Sequence, residues 1–225
     1  MTRHLLTSAL FAGLAAGLVA TLLQLVFVVP LLLEGELYET GVRLHFSATG
    51  AQSQAGAPTV LAELGRHIGT VGINLIAYTG FALVLLAGFA VAERAGHAVT
   101  ARRGAVWGLA GFVAVQLAPA FGLPPELPGT IGADLGARQV WWAGCVAATL
   151  AGIALIAFGR GLVPVGAGTL LIALPHLIGA PGIDTYFGVA PPELASHFVT
   201  RALGVAAVTW VVLGAMAGGL WSRRG

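Results

Sequence analysis

Two pairs of a carboxylate and an imidazole lie four residues apart in this chain, Glu63 with His67 and Glu193 with His197. Positions i and i+4 share one face of a helix, so each pair can direct two ligand atoms to one point. Imidazole nitrogen with carboxylate oxygen is a donor set suited to borderline divalent ions such as cobalt, nickel or zinc. Asp134 opens a related segment and would add an oxygen ligand. The pattern predicts a metal site built from these residues.

The same residues also have a purely structural interpretation. An acid at the start of a helix is favourable, because its carboxylate accepts hydrogen bonds from free N–H groups and faces the positive end of the helix dipole. A base four residues later then forms an ordinary ion pair. For Asp134 and Arg138 we favour capping and pairing, whereas for the two acid–histidine pairs both interpretations stay open.

Another ionisable side chain, His176, follows Pro175 at the end of a long apolar run. A polar group near bilayer depth is costly, and it is a functional candidate by default, here as a metal ligand or proton relay. The alternative is that the imidazole extends to the nearby membrane surface. The loop after the first apolar segment supplies secondary ligand candidates, namely Glu34, Glu36, Glu39 and His45.

The composition excludes a soluble domain. Of the 225 residues, 57% are hydrophobic and 9% are charged, whereas soluble domains carry about 25% charged residues. Every strong base is an arginine, and without lysine the chain has neither a Walker-A nucleotide site nor a Schiff-base cofactor. The single cysteine, Cys145, excludes paired thiolate sites. We predict one transmembrane helical domain over residues 1–225 with no permanently bound cofactor.

Six apolar segments approach the length of about 20 residues that a spanning helix needs. The first has a basic start, but its apolar run is too long for a typical cleavable signal, so we interpret it as an uncleaved anchor. We therefore predict an all-α polytopic membrane protein with about six transmembrane helices. The approximate spans are 5–33, 68–92, 104–122, 139–159, 162–179 and 198–221, with an outer loop at 34–67.

The arginines orient these spans. One side carries Arg3, Arg94, Arg102, Arg103, Arg160, Arg223 and Arg224, and the other carries Arg43, Arg66, Arg138 and Arg201. Because cytoplasmic loops hold the excess of arginine, the first set marks the cytoplasm, where we expect both termini. Most acidic residues fall on the outer side, where carboxylates attract cations. Solvation of exported loops explains these acids equally well.

Three stretches of the chain resemble one another. In each, an outward-going helix meets a proline near its outer end, and after a loop the next helix opens with an acid followed by leucine. The prolines are Pro30, Pro119 and Pro175, and the openings are 63–67, 134–138 and 193–197. This self-similarity predicts three two-helix repeats about a pseudo-threefold axis along the membrane normal. Parallel repeats of this general kind occur in transporters.

Amide side chains interrupt the apolar segments at Gln24, Asn74 and Gln116. Such groups either line a polar path or hydrogen-bond neighbouring helices, and the second role is the commoner one. The chain also has GxxxG spacings, which allow tight helix packing within one chain or, in a homo-oligomer, between chains. They are Gly13–Gly17, Gly104–Gly108 and Gly214–Gly218.

Motifs spread over nearly the whole chain resemble the CbtA family of cobalt transporter subunits. They are VVPLLLEGELYE (28–39), GLPPELPG (122–129), ADLGARQVWW (133–142), LPHLIGAP (174–181) and PPELASHF (191–198). The resemblance implies a polytopic inner-membrane protein, usually described with five spans, that works with CbtB, a small partner with one span and a histidine-rich end. It also implies a link to cobalamin biosynthesis through cobalamin-responsive control.

Together these features predict a membrane subunit of a transition-metal uptake system that provides the ion path, with Co²⁺ as the expected substrate. The alternative is an accessory subunit that binds a partner's transmembrane helix without conducting metal. An enzyme is not predicted, because nothing like HExxH occurs. We expect a CbtB-like subunit and membrane lipids as partners, no nucleic acid, and a location in the bacterial inner membrane.

Overall fold

The computed structural model describes residues 2–46, 49–50, 54–60 and 64–223, and these residues contain helices and loops but no strand. The all-helical prediction is therefore confirmed for this part of the chain. The elements are α1 (Thr2–Phe27), α2 (Val29–Glu39), α3 (Leu64–Arg94), α4 (Ala101–Phe112), a π-helical segment (Val113–Leu117), α5 (Ala118–Ala120), α6 (Leu135–Phe158), α7 (Leu162–Ile178) and α8 (Pro192–Ser222).

Four helices are long and apolar enough to cross a membrane, namely α1, α3, α6 and α8. They have 24 to 31 residues, whereas α7 is also apolar but has 17. The third predicted span, 104–122, is divided among α4, the π-helical segment and α5. The length and composition of these helices are those of a membrane protein. The count of six spans stays a prediction.

The three repeated prolines occupy different positions in their helices. Pro30 lies in the first turn of α2, directly after α1 ends at Phe27. Proline has no N–H to donate and its ring clashes with the carbonyl four residues earlier, which explains the break. Pro119 follows the π-helical segment, and Pro175 lies inside α7 near its end. The threefold repeat stays a prediction.

Close contacts divide the chain into two compact units. The first contains α1, α3, α4 and the part of α8 from Gly204. In it a methyl group added at Gly17 of α1 would lie 2.9 Å from the Asn74 carbonyl oxygen of α3. Glycines of α4 and α8 interlock in the same way: Gly104 and Gly108 meet the backbone of 210–218. The GxxxG faces of α1, α4 and α8 are thus used for packing within the chain.

The second unit contains α2, the π-helical segment, α5, α6, α7 and residues 192–203 of α8. A short connection joins α6 to α7, and Gly161 in it has a φ of +89°, a conformation that glycine adopts readily. The two helices then pack closely, since a methyl group added at Gly152 would lie 2.6 Å from the Gly168 carbonyl oxygen. This unit holds most of the ligand candidates.

Candidate metal-binding cavity

A cavity of about 420 Å³ lies in the second unit, between α2, the loop that follows α2, and the first turns of α8. Four of its lining residues carry carboxylates or imidazoles: Glu34, His45, Glu193 and His197. The rest of the lining is mostly apolar and consists of Leu31, Tyr38, Leu44, Ala55, Pro191 and Leu194. The cavity thus brings together one predicted acid–histidine pair and two secondary candidates.

An apolar cluster holds α2 against the start of α8 and so positions these groups. Leu31 and Tyr38 of α2 are buried together with Leu194 and Phe198 of α8. Glu34 lies on the same face of α2, three residues after Leu31 and four before Tyr38. Full burial of each apolar side chain contributes about 1.5–3 kcal/mol. The cluster therefore fixes α2 relative to the start of α8 and so holds the backbone that carries the polar groups.

Glu34 is the buried carboxylate of the cavity, with 8% of its surface exposed. Its Oε1 atom accepts a hydrogen bond from Arg43 Nη1 at 3.1 Å and another from the Gly56 backbone N–H at 2.9 Å. A buried charge is tolerated when it is paired and hydrogen-bonded, which both contacts provide. Gly56 has a φ of +145°, which favours glycine at this point of the loop.

Glu193 and His197 lie one turn apart on α8 and line the same cavity, as their i, i+4 spacing predicts. Both side chains are exposed, in contrast to Glu34. Glu193 is in the first turn of the helix, where the helix dipole favours a negative charge. Both side chains are therefore accessible from outside the cavity.

Within the described residues, no three histidine, cysteine, aspartate or glutamate side chains stand close enough to hold one metal ion. The Glu34 carboxylate is directed to Arg43 and Gly56. Metal coordination in this cavity would therefore require its side chains to move together.

Of the other predicted pair, Glu63 and His67, the structure describes only the histidine. Glu63 lies outside the described residues, and His67 belongs to the first unit. His67 is 7% exposed, and its Nε2 atom is hydrogen-bonded to the Val60 carbonyl oxygen. Its Nδ1 atom has no hydrogen-bond partner among the described residues. The backbone thus engages one ring nitrogen, and ligation by this pair stays a prediction.

Asp134 caps α6, as the structural interpretation predicted. Its Oδ1 atom accepts a hydrogen bond from the Ala137 N–H at 2.9 Å. The predicted ion pair between Asp134 and Arg138 is wrong, because Arg138 Nη2 contacts Glu126 Oε2 at 2.7 Å instead. The carboxylate of Glu126 lies within reach because the preceding loop returns to the start of α6.

His176 is exposed in the last turn of α7 and does not line the cavity. Its ring lies edge-on to two aromatic rings, with centroids 5.8 Å from Phe121 and 6.0 Å from Trp141. Trp141 Nε1 donates a hydrogen bond to the Pro175 carbonyl oxygen at 3.1 Å. The structure thus places His176 in an aromatic cluster where the end of α7 lies beside the start of α6.

Two further candidates, Glu36 and Glu39, lie on α2 but do not line the cavity. They follow Glu34 by two and five residues, which turns them to other faces of the helix. Arg43 belongs to this site through its ion pair with Glu34, although in the sequence it indicates topology alone. Arg43 lies nine residues after Glu34 and beyond the end of the helix, so helical spacing in the sequence does not predict their contact.

Comparison with protein-family models matches residues 2–222 to CbtA, described as "Probable cobalt transporter subunit". No curated protein and no solved structure matches the chain. A transporter subunit implies a partner with which it assembles. Because the match covers nearly the whole chain, this protein belongs to the CbtA family of probable cobalt transporter subunits.

Proposed function

We propose that this chain provides the ion path of a cobalt uptake system and that the cavity of the second unit captures the ion. The observation that carries the proposal is the convergence of Glu34, His45, Glu193 and His197 on one cavity from three separate segments. A transport role, rather than catalysis, is supported by the family description. In this proposal the protein lies in the bacterial inner membrane with both termini in the cytoplasm.

The four side chains would supply two carboxylates and two imidazoles in place of water around Co²⁺. Such oxygen and nitrogen donors generally bind nickel more tightly than cobalt, so the choice of metal does not follow from the ligands. Cobalt as the substrate is supported by the family description alone. Ni²⁺ should therefore compete with Co²⁺ for the isolated site.

An accessory role is the second candidate, and one observation favours it. A methyl group added at Gly65, Gly69, Gly72 or Gly80 of α3 would meet no atom within 4 Å. In membranes, small residues on one helix face allow another helix to approach closely. A CbtB-like single-span partner could pack there, and the chain would then hold a partner without conducting metal.

Cobalt accumulation in cells separates the two roles. We would compare the wild type with the double variant Glu193→Gln/His197→Ala, each with and without a coexpressed partner. The matched control is Glu39→Gln/His97→Ala, which removes one exposed acid and one exposed histidine away from the cavity. Loss of uptake in the cavity variant alone, at equal membrane levels, supports the ion path.

Equal uptake by the cavity variant and the wild type would contradict the capture site and favour the accessory role. Titration of the purified proteins with Co²⁺ provides an independent readout, since the cavity variant should bind the ion more weakly than the wild type and the Glu39→Gln/His97→Ala control do.

A further inference from the structure

We propose that Arg43 is a built-in competitor of the metal ion, which holds Glu34 until a divalent cation displaces its guanidinium. This inference rests on the proposed function, because it assumes that the cavity containing Glu34 is the capture site. It adds a residue outside the cavity lining that tunes how tightly the ion is held.

The first argument is geometric. Arg43 Nη1 and the Gly56 N–H both contact the same atom, Glu34 Oε1. A metal ion bound through this oxygen would meet the guanidinium as a like charge. The Gly56 N–H is neutral and can remain when Arg43 leaves, so the loop backbone continues to orient the carboxylate.

The second argument concerns charge. The cavity lining carries two carboxylates, Glu34 and Glu193, and Arg43 compensates one of them. Loss of Arg43 from Glu34 would leave two uncompensated negative charges, which match a divalent cation. The exchange of one guanidinium for one divalent ion therefore keeps Glu34 compensated in both states, as a buried carboxylate requires.

The third argument concerns how the guanidinium can leave. Arginine stays protonated in proteins, so Arg43 cannot release Glu34 by losing a proton. It follows the end of α2 in a non-helical segment, and its side chain is 21% exposed. The long side chain can therefore turn to solvent while α2 and its apolar contacts remain in place.

The test is a titration of the purified full-length protein with Co²⁺ in detergent at neutral pH. We expect Arg43→Gln to bind Co²⁺ about tenfold more tightly than the wild type, which corresponds to about 1.4 kcal/mol. Arg43→Lys, which keeps the positive charge, should remain closer to the wild type. The matched control is Arg138→Gln, which breaks the ion pair with Glu126 outside the cavity lining and should leave affinity unchanged.

A second measurement uses the wild-type protein and does not depend on the folding of a variant. Phenylglyoxal labels free guanidinium groups, and the labelled peptides can be quantified by mass spectrometry. Co²⁺ should raise the rate of labelling of Arg43 several-fold and leave that of Arg138 unchanged, whereas Mg²⁺ should change neither.

The outcomes distinguish this inference from the proposed function. The competitor role alone is overturned if Glu193→Gln binds Co²⁺ more weakly than the wild type, but Arg43→Gln binds no more tightly and Co²⁺ does not speed the labelling of Arg43. The competitor role and the proposed capture site are both overturned if Glu193→Gln binds Co²⁺ as tightly as the wild type does, or if the wild type does not bind Co²⁺.

Discussion

The Asn74 side chain of α3 donates a hydrogen bond to the Gln24 side chain of α1, with 2.8 Å between Nδ2 and Oε1. The same nitrogen lies 3.1 Å from Thr21 Oγ1. Asn74 and Thr21 are both buried. Polar groups in these two apolar helices thus satisfy each other, which agrees with helix association rather than with a polar path.

This bond leads to the first prediction. Asn74→Ala should lower the free energy of unfolding by about 1 kcal/mol, because interhelical hydrogen bonds in membranes are individually modest. Unfolding in mixed micelles measures the change. The control is Thr70→Ala on the same helix, where an exposed hydroxyl bonds to its own helix. An equal effect of the two substitutions would contradict a stabilising role for the cluster.

The interlocked glycines of α4 and α8 give a second prediction. A methyl group at Gly214 would lie 2.7 Å from the Gly108 backbone nitrogen. Gly214→Ala should therefore destabilise the protein by about 1–3 kcal/mol through overpacking. Gly144→Ala on α6, which has no atom within 4 Å, should stabilise it by about 0.5–1 kcal/mol, since alanine favours helices. Thermal unfolding in detergent checks the opposite signs.

Asp134 allows a third test, which separates capping from ligation. Asp134→Ala should cost about 1 kcal/mol of stability, whereas Asp134→Asn should retain the cap because asparagine is an equally good N-cap residue. Both variants should bind Co²⁺ as the wild type does. A loss of Co²⁺ binding in a stably folded Asp134→Asn protein would show that the carboxylate ligates the metal.

The fourth prediction concerns Glu34 and also depends on the proposed function. Glu34→Gln keeps the shape of the side chain but removes its charge, so Co²⁺ affinity should fall about tenfold or more, which is at least 1.4 kcal/mol. Glu39→Gln is the matched control, because Glu39 lies on the same helix and does not line the cavity. Calorimetric titration of both proteins measures the difference, and equal affinities would exclude Glu34 as a ligand.

Local rules explain what could be predicted from the sequence. The length of the apolar segments predicts an all-helical fold, because a helix in lipid satisfies its backbone hydrogen bonds internally. The shared face of Glu193 and His197 follows from helix geometry, and the Asp134 cap follows from an acid before a helix.

Tertiary packing decides the rest. Glu34 is buried because α2 meets α8 through Tyr38 and Leu194, and no local pattern encodes that encounter. The pairing of Arg138 with Glu126 likewise depends on the path of a loop. These contacts join residues that are distant in sequence or separated by a helix end, so spacing rules do not reach them.

The π-helical segment Val113–Leu117 changes the phase of the helix that carries it. A π turn holds one residue more than an α turn, which advances all later side chains by about 100° around the axis. The shift begins directly after α4, whose glycines at 108 and 111 contact Trp210. One apolar stretch thus carries two helical registers, and deletion of Val113 would give it the single register of an uninterrupted α-helix.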